Sequence, residues 1–279
     1  MRFTKMHGTG NDFVVLDGRR AAADWSALAV PMNDRHFGVG GDGLIVALPS
    51  DRADLRMRMF NPDGSEAEMC GNGIRCLAKY AVEQGLVASS RESLLVETLA
   101  GDLTCELRRE RGAVTVVRVS MGAPQLDPRA IPVLAEQAPP VIGLPVRAGG
   151  REFAVTCVSM GNPHAVWFTD EVVAEFPLRE FGPLVERHPA FPRRVNFEIV
   201  NIERPGVARA RVWERGAGLT LACGTGACAV HVAARLNGLT GDATDVALPG
   251  GTLRIEWNGA GDLYLSGPAA AVFEGEWPG

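Results

Sequence analysis

The chain contains one short motif twice, and each copy stands directly before a predicted helix. Cysteine, glycine, a variable residue and a second glycine occupy 70–73 and again 223–226, so that Cys223 lies 153 positions after Cys70. Apolar residues at i, i+3, i+4 and i+7 after the first copy predict an amphipathic helix. A glycine, Gly85 or Gly238, stands 15 positions after each cysteine, where a helix is expected to end.

Each cysteine is therefore predicted to lie at a helix N-terminus. Backbone N–H groups and the positive end of the helix dipole lower the pKa of a thiol there, and they can also hold a carboxylate. A dry cleft acts in the opposite direction, so we expect the pKa of a catalytic thiol to lie within roughly 3.5–7.5 or somewhat above. Two matched thiols at two helix starts indicate a catalytic site.

Three further positions in the first half have a counterpart in the second half at nearly the same offset. Chance could produce one such match, but several in register are better explained by an internal duplication. The pairs are Asn11 with Asn162 at 151 positions, Gly43 with Asn196 at 153, and Asn61 with Glu214, each nine residues before its cysteine.

The duplication and the strand patterns predict the fold class. We expect an α/β chain of the mixed α+β kind, with two pseudo-symmetric halves and the active site in the cleft between them. Each half is predicted to be a strongly curved, mostly antiparallel sheet around a central helix. Residues 1–119 and 266–279 would form the first half, which carries Cys70, and residues 120–265 the second, which carries Cys223.

Two segments lie outside the repeated pattern. Residues 122–149 are rich in proline, as expected of a crossover between the halves. A strand predicted at 271–277 has no counterpart in the second half and could return to the first.

Composition excludes several classes of protein. A length of 279 residues favours about two domains, and a net charge of −5 gives no sign of nucleic-acid binding. The chain contains no run of about 18 apolar residues, so we expect no membrane span. The N-terminus does not look like a secretory signal. Six cysteines in a chain of this length do not form a disulfide scaffold, and their spacing does not match a zinc site. We therefore expect a cytoplasmic protein without a metal.

One glycine pattern is a false lead. Gly38, Gly40 and Gly43 satisfy the G-x-G-x-x-G spacing of a dinucleotide site. That site needs a helix after the glycines, whereas the apolar run 44–48 predicts a strand. We reject a Rossmann-type site.

The paired thiols suggest one kind of chemistry. A thiolate on one face of a carbon can remove its proton while a thiol on the other face returns one, which inverts the stereocentre. The backbone N–H groups of the two helix starts can hold the substrate carboxylate and stabilise the negative charge that spreads from the carbon. Repulsion between like charges favours one charged and one protonated cysteine.

Five motifs together resemble the diaminopimelate epimerase family over nearly the whole chain. The resemblance implies a cofactor-independent epimerase that interconverts LL- and meso-diaminopimelate in lysine and peptidoglycan precursor synthesis, usually as a homodimer. The motifs are CGNGIRC at 70–76, CGTGACA at 223–229, HGTGNDF at 7–13, GNPH at 161–164 and WERGAG at 213–218.

The resemblance also implies roles for individual residues. Cys70 and Cys223 would be the paired acid and base, and His164 and Glu214 would tune their pKa values. One departure is Gly43, where some relatives carry a glutamine that contacts substrate. The implied substrate contacts are the amides of Gly71, Asn72, Gly224 and Thr225 for the reacting carboxylate, and Asn11, Asn61, Asn162, Asn196, Glu214 and Arg215, most of them at the distal end.

Two alternatives stay open on the sequence. Proline racemase and hydroxyproline epimerase share the fold and the thiol pair, but Asn72 and the segment 213–215 argue against them. A non-catalytic amino-acid-binding redox protein could use Cys70 and Cys223 as a reversible disulfide. The other four cysteines (76, 105, 157 and 228) are expected to be small buried hydrophobic residues.

Overall fold

A computed structural model describes residues 1–278, which form four helices and 18 strands. The helices are α1 (Trp25–Asn33), α2 (Gly71–Glu83), α3 (Leu178–Glu186) and α4 (Gly224–Leu236). The strands are β1 (Arg2–Gly8), β2 (Asn11–Asp17), β3 (Gly43–Leu48), β4 (Leu55–Phe60), β5 (Glu66–Ala67), β6 (Ser93–Thr98), β7 (Gly101–Glu110), β8 (Ala113–Ser120), β9 (Leu144–Ala148), β10 (Arg151–Ser159), β11 (Pro163–Phe168), β12 (Asn196–Arg204), β13 (Val207–Glu214), β14 (Gly218–Leu219), β15 (Ala243–Leu248), β16 (Gly251–Glu256), β17 (Tyr264–Pro268) and β18 (Ala270–Glu276).

The chain divides into two compact units. Unit 1 is Met1–Ser120 together with Ser266–Gly279, and unit 2 is Met121–Leu265. The chain returns to unit 1 within β17, and β18 then pairs antiparallel with β1. The last strand thus pairs with the first half of the chain, as expected.

The two units have the same pattern of strand pairing. In unit 1, β2–β3 and β4–β6 are parallel, whereas β1–β2, β3–β4 and β6–β7 are antiparallel. In unit 2, β11–β12 and β13–β15 are parallel, whereas β10–β11, β12–β13 and β15–β16 are antiparallel. The mixed α+β class with mostly antiparallel strands is confirmed.

The register repeats as well as the order. Phe13 pairs with Gly43 in unit 1, and His164 pairs with Asn196 in unit 2. These positions are the ones that the sequence offsets of 151 and 153 relate to each other. The same pairing in both units supports an origin by duplication.

Both predicted motif helices are confirmed. Helix α2 begins directly after Cys70, and Gly85 beyond its end has φ +68°. Helix α4 begins directly after Cys223, and Gly238 beyond its end has φ +70°. Glycine adopts this left-handed conformation without the steric cost of a Cβ atom, and therefore ends both helices.

Each motif helix is packed inside its own unit. Every residue of α2 except Glu83 is buried, and α4 is buried through most of its length. The expectation for the four other cysteines is confirmed, since Cys76, Cys105, Cys157 and Cys228 are all fully buried. Burial raises the pKa of the Cys76, Cys105 and Cys157 thiols to about 12.

The core of unit 2 is largely aromatic. The Phe153 ring packs edge-on against the rings of Trp167, Phe181 and Phe197, with centroids 5.1, 5.6 and 5.4 Å away. Such contacts join β10, β11 and β12 to α3. In the described part of the chain, no helix is both long and apolar enough to cross a membrane.

Arg75 ties the start of α2 to two other parts of unit 1. Its side chain is fully buried and donates to Gly71 O at 2.9 Å, to Pro268 O at 3.3 Å and to Thr9 Oγ1 at 3.4 Å. A buried acceptor that loses its donor costs about 1–3 kcal/mol. One side chain therefore links the helix, the β1–β2 turn and the end of β17.

We predict that Arg75→Met lowers the free energy of unfolding by about 2 kcal/mol, because its carbonyl acceptors lose a buried donor. Urea denaturation followed by circular dichroism measures the change in midpoint. Arg147→Met is the matched control, since the Arg147 side chain is 83% exposed. Equal midpoints for the two variants would contradict the assigned role of Arg75.

Candidate active site

Cys70 lies in unit 1 with two of the predicted substrate contacts beside it. Its sulfur is 3.7 Å from Asn11 Oδ1, and Asn72 Nδ2 donates to the same oxygen at 3.2 Å. The thiol is half-buried, and Cys70 is the N-cap residue of α2. The first N–H groups of a helix have no partner within the helix, so the sulfur lies at an end suited to an anion.

A charged network holds the Asn11 turn in place. Asn11 Nδ2 donates to Asp42 Oδ2 at 2.7 Å, and Asp12 accepts from Lys5 and Arg35. Burial alone raises the pKa of Asp12, but hydrogen bonds from Arg35 and Lys5 outweigh it and lower the pKa to about 2. The turn that carries Asn11 is thus fixed to the loop before β3.

Two other predicted positions of unit 1 have different surroundings. A Cβ atom at Gly43 would lie 3.0 Å from Phe60 O and 3.1 Å from Met59 Cε, which leaves little room for any side chain. Gly43 therefore makes no side-chain contact, and a larger residue there would need Phe60 or Met59 to shift. Asn61 lies in the turn after β4, where its side chain donates to Ser65 Oγ at 2.9 Å.

Cys223 has a more enclosed setting in unit 2. It is 6% exposed, Gly226 N donates to its sulfur at 3.3 Å, and Thr225 Oγ1 lies 3.4 Å from the sulfur. Burial, followed by repulsion from Glu214, raises the pKa of the Cys223 thiol well above its usual value; the contacts with Thr225 and Gly226 lower it only in part.

The pKa of the Cys223 thiol is raised, whereas its position at a helix start alone predicts a lowered pKa. The N–H group of Gly226 and the hydroxyl of Thr225 stabilise a thiolate, but the loss of solvation and the charges of Glu214 and Glu198 raise the pKa by more. The raised pKa favours the protonated form of the Cys223 thiol. A protonated thiol is the form that can donate a proton.

His164 takes part in a buried chain of polar contacts. Its Nδ1 lies 2.7 Å from Glu198 Oε1, and its Nε2 lies 2.9 Å from Asn162 Oδ1. Burial raises the pKa of Glu198, and His164 offsets part of that rise. The carboxyl group is also close to the sulfur, because the Cβ of any larger residue at Gly226 would lie 3.0 Å from Glu198 Oε1 and 3.3 Å from Cys223 Sγ.

Glu198 is a site residue that the sequence reasoning missed. The run Phe197–Val200 predicts an apolar strand, and a single glutamate within it does not indicate a site by its spacing. The available signal was the charge itself, because a carboxyl group in the middle of a buried strand needs a partner. That partner, His164, lies on the neighbouring parallel strand.

The remaining predicted residues meet at the turn after β13. Asn196 Oδ1 accepts from Arg215 N at 2.8 Å, and Asn196 Nδ2 donates to Pro163 O at 2.8 Å. Glu214 accepts from Thr220 Oγ1. Asn196 thus joins the turn that carries Glu214 and Arg215 to the start of the strand that carries His164.

Residues 1–278 contain no group of three or more histidine, cysteine or acidic side chains arranged to hold a metal ion. The polar groups described around Cys70 and Cys223 include amides, a hydroxyl and carboxyl groups. Such groups suit hydrogen bonding to an amino acid.

Solved structures with little sequence identity share the fold of this chain. A phenazine biosynthesis protein of the PhzF family from Bacillus anthracis matches with a TM-score of 0.70 at 18% identity, and covers 99% of this chain and 98% of that one. A probable proline racemase from Agrobacterium radiobacter matches with a TM-score of 0.68 at 15% identity, over 99% and 92%. At these identities the likeness establishes the fold alone.

Sequence comparison identifies the family. The family model described as diaminopimelate epimerase matches residues 3–126 and 156–272. The diaminopimelate epimerase of Pelotomaculum thermopropionicum is 53% identical over 283 residues, covering 100% of this chain and 99% of the relative, and that of Desulforudis audaxviator is 54% identical over 280 residues, covering 99% of each. The chain belongs to the diaminopimelate epimerase family, and the predicted resemblance is confirmed.

We predict that Glu214→Gln lowers the pKa of the Cys223 thiol, because it removes a carboxylate that raises this pKa while an amide oxygen can still accept from Thr220. Alkylation of Cys223 by iodoacetamide near pH 8 should accelerate about two- to tenfold, since only the thiolate reacts. Peptide mass spectrometry measures this rate cysteine by cysteine.

Glu203→Gln serves as the control, because Glu203 is an exposed residue of β12 paired with Arg209. The rate of Cys223 alkylation in this variant should equal that in the unmodified chain. An unchanged or slower reaction at Cys223 in Glu214→Gln would show that the charge of Glu214 does not act on this thiol.

Proposed function

We propose that this chain interconverts LL- and meso-diaminopimelate by a two-base proton transfer at the α-carbon, with Cys70 and Cys223 as the paired acid and base. One observation carries the proposal: each unit places a cysteine as the N-cap of a buried helix. Membership of the diaminopimelate epimerase family supports the substrate and the type of reaction.

In the proposed reaction, one sulfur removes the α-proton as a thiolate, and the other sulfur, as a thiol, delivers a proton to the opposite face. The configuration inverts, and the enzyme is left with the two protonation states exchanged. The raised pKa of Cys223 suits the proton donor of the resting enzyme. No cofactor enters the scheme, because both proton positions belong to side chains.

The reacting carboxylate needs donors that act as negative charge develops on it. We assign this role to the backbone N–H groups at the starts of α2 and α4, at Gly71 and Asn72 and at Gly224 and Thr225. The partial positive charge at a helix N-terminus favours an anion there. An oriented N–H donor stabilises the carboxylate most strongly when its negative charge is greatest.

The distal end of diaminopimelate carries an ammonium and a carboxylate. The Arg215 guanidinium can hold the carboxylate in a fork, and the Glu214 carboxylate can accept from the ammonium. Further contacts are assigned to the amide side chains, each of which can donate or accept. These are Asn11, Asn61, Asn162 and Asn196.

The wider setting belongs to the same proposal. The enzyme would act as a homodimer in the cytoplasm, in lysine and peptidoglycan precursor synthesis. The duplicated halves would correspond to units 1 and 2. His164 and Glu214, together with Glu198, would set the pKa values of the thiols.

We predict that Cys70→Ala and Cys223→Ala each lower the rate of epimerisation by about 10²–10⁴-fold, because each removes one partner of the proton transfer. Proton NMR in D2O measures both inversion and α-deuterium incorporation, starting from each isomer separately. Cys157→Ala is the control, since this buried cysteine lies outside the proposed site. Retained epimerisation by either site variant would falsify the two-base scheme.

The same assay separates the alternatives. A binding protein or redox switch would give no deuterium incorporation with any amino acid. A proline racemase-type enzyme would exchange proline and leave diaminopimelate untouched. Exchange of diaminopimelate alone is the expected result.

A further inference from the structure

The turn that carries Glu214 and Arg215 is held by helix α3, an element with no part in the motifs. The Trp213 ring lies directly on Gly182 of α3: a Cβ atom at 182 would lie 2.5 Å from Trp213 Cγ and Cδ2. Real Cβ atoms do not approach other atoms so closely. The glycine therefore lets the indole ring seat against the helix backbone.

Glu186, one helical turn further along α3, binds this segment on both sides of the two predicted substrate contacts. Its Oε2 accepts from Trp213 Nε1 at 2.7 Å, and its Oε1 accepts from Gly216 N at 3.2 Å. Trp213 precedes Glu214 in the chain, and Gly216 follows Arg215. One carboxylate thus fixes the residues that flank the pair.

The carboxylate is buried, but its charge is compensated. Glu186 is 3% exposed, and Arg194 Nη1 lies 3.6 Å from Oε1. A buried carboxylate with two N–H donors and a nearby guanidinium has a strongly preferred orientation. The loop after α3, which carries Arg193 and Arg194, also contacts the turn directly, since Arg215 Nη1 donates to Arg193 O at 3.2 Å.

We propose that Glu186 is a positioning residue that sets the enzyme's selectivity for the distal end of its substrate, through Glu214 and Arg215. The inference rests on the proposed function. A fork of two N–H donors binds a carboxylate well only at a defined angle, so a small rotation of the turn weakens distal binding. The reacting carboxylate meets the backbone N–H groups of the helix starts instead, so its binding does not depend on this turn. The charge of Glu214 acts on the Cys223 thiol, and Glu186→Gln leaves that charge in place.

Glu186→Gln tests the proposal with little change of volume. A glutamine side chain has one oxygen and one NH2 group, so it cannot accept from both Trp213 and Gly216. One of these N–H groups must then face another donor. We expect the KM for diaminopimelate to rise about tenfold, with kcat changed less than about threefold.

A substrate analogue separates positioning from general destabilisation. 2-Aminoheptanoate has the reacting carbon and carboxylate but lacks the distal ammonium and carboxylate, and its inhibition constant is measured against diaminopimelate exchange in D2O. In Glu186→Gln this constant should remain within about twofold of the value for the unmodified chain. A purely structural role for Glu186 would weaken both ligands by the same factor.

Two further variants complete the experiment. Trp213→Phe removes only the indole N–H and keeps a ring on Gly182, so it should raise the KM for diaminopimelate in the same direction by a smaller factor. It also tests the proposal if Glu186→Gln does not fold. Glu180→Gln, an exposed change on the same helix, should alter neither constant.

These experiments test the proposed function and the role of Glu186 separately. An unmodified chain without exchange of diaminopimelate overturns the proposed function. An active chain in which Glu186→Gln leaves the KM unchanged, or raises the KM and the inhibition constant equally, overturns the role of Glu186 and leaves the proposed function standing. The same holds if Glu180→Gln shifts the KM as far as Glu186→Gln does.

Discussion

Both proposed catalytic groups depend on a helix that starts at a cysteine and is buried inside its unit. Most residues of each helix are buried, and the cysteine lies at the end where the first N–H groups have no partner within the helix. The strands of each unit surround this helix in a repeated order, with the same parallel and antiparallel pairings. The position of each sulfur therefore follows from how its helix packs.

The two copies of the motif have diverged in the side chains around the sulfur. Cys70 is half-buried and lies beside the amides of Asn11 and Asn72. Cys223 is buried near two carboxyl groups, and its thiol pKa is raised. A reaction that needs one thiolate and one thiol benefits from this difference, because two identical sites would compete for the same protonation state.

Much of the fold could be read from the chain because its signals are local. The glycines that end α2 and α4 adopt positive φ angles, and the apolar periodicity places α2 in the core. The family follows from motifs that are themselves continuous stretches of sequence. Glu198 and Glu186 could not be found in this way, because their partners, His164 and Trp213, lie on other elements 34 and 27 residues away.

The duplication, the two cysteine-capped helices and the family could all be inferred from the amino-acid sequence, because each depends on short motifs and their spacing along the chain. The direction of the Cys223 pKa depends on the fold instead, because burial and the carboxyl groups of Glu214 and Glu198, which other strands carry, raise it. The tertiary structure also decided that α3 supports the Glu214–Arg215 turn, through a ring seated on a glycine and one buried carboxylate. Electrostatics and packing act through space, so the balance at each site depends on which distant residues the fold brings within a few ångströms.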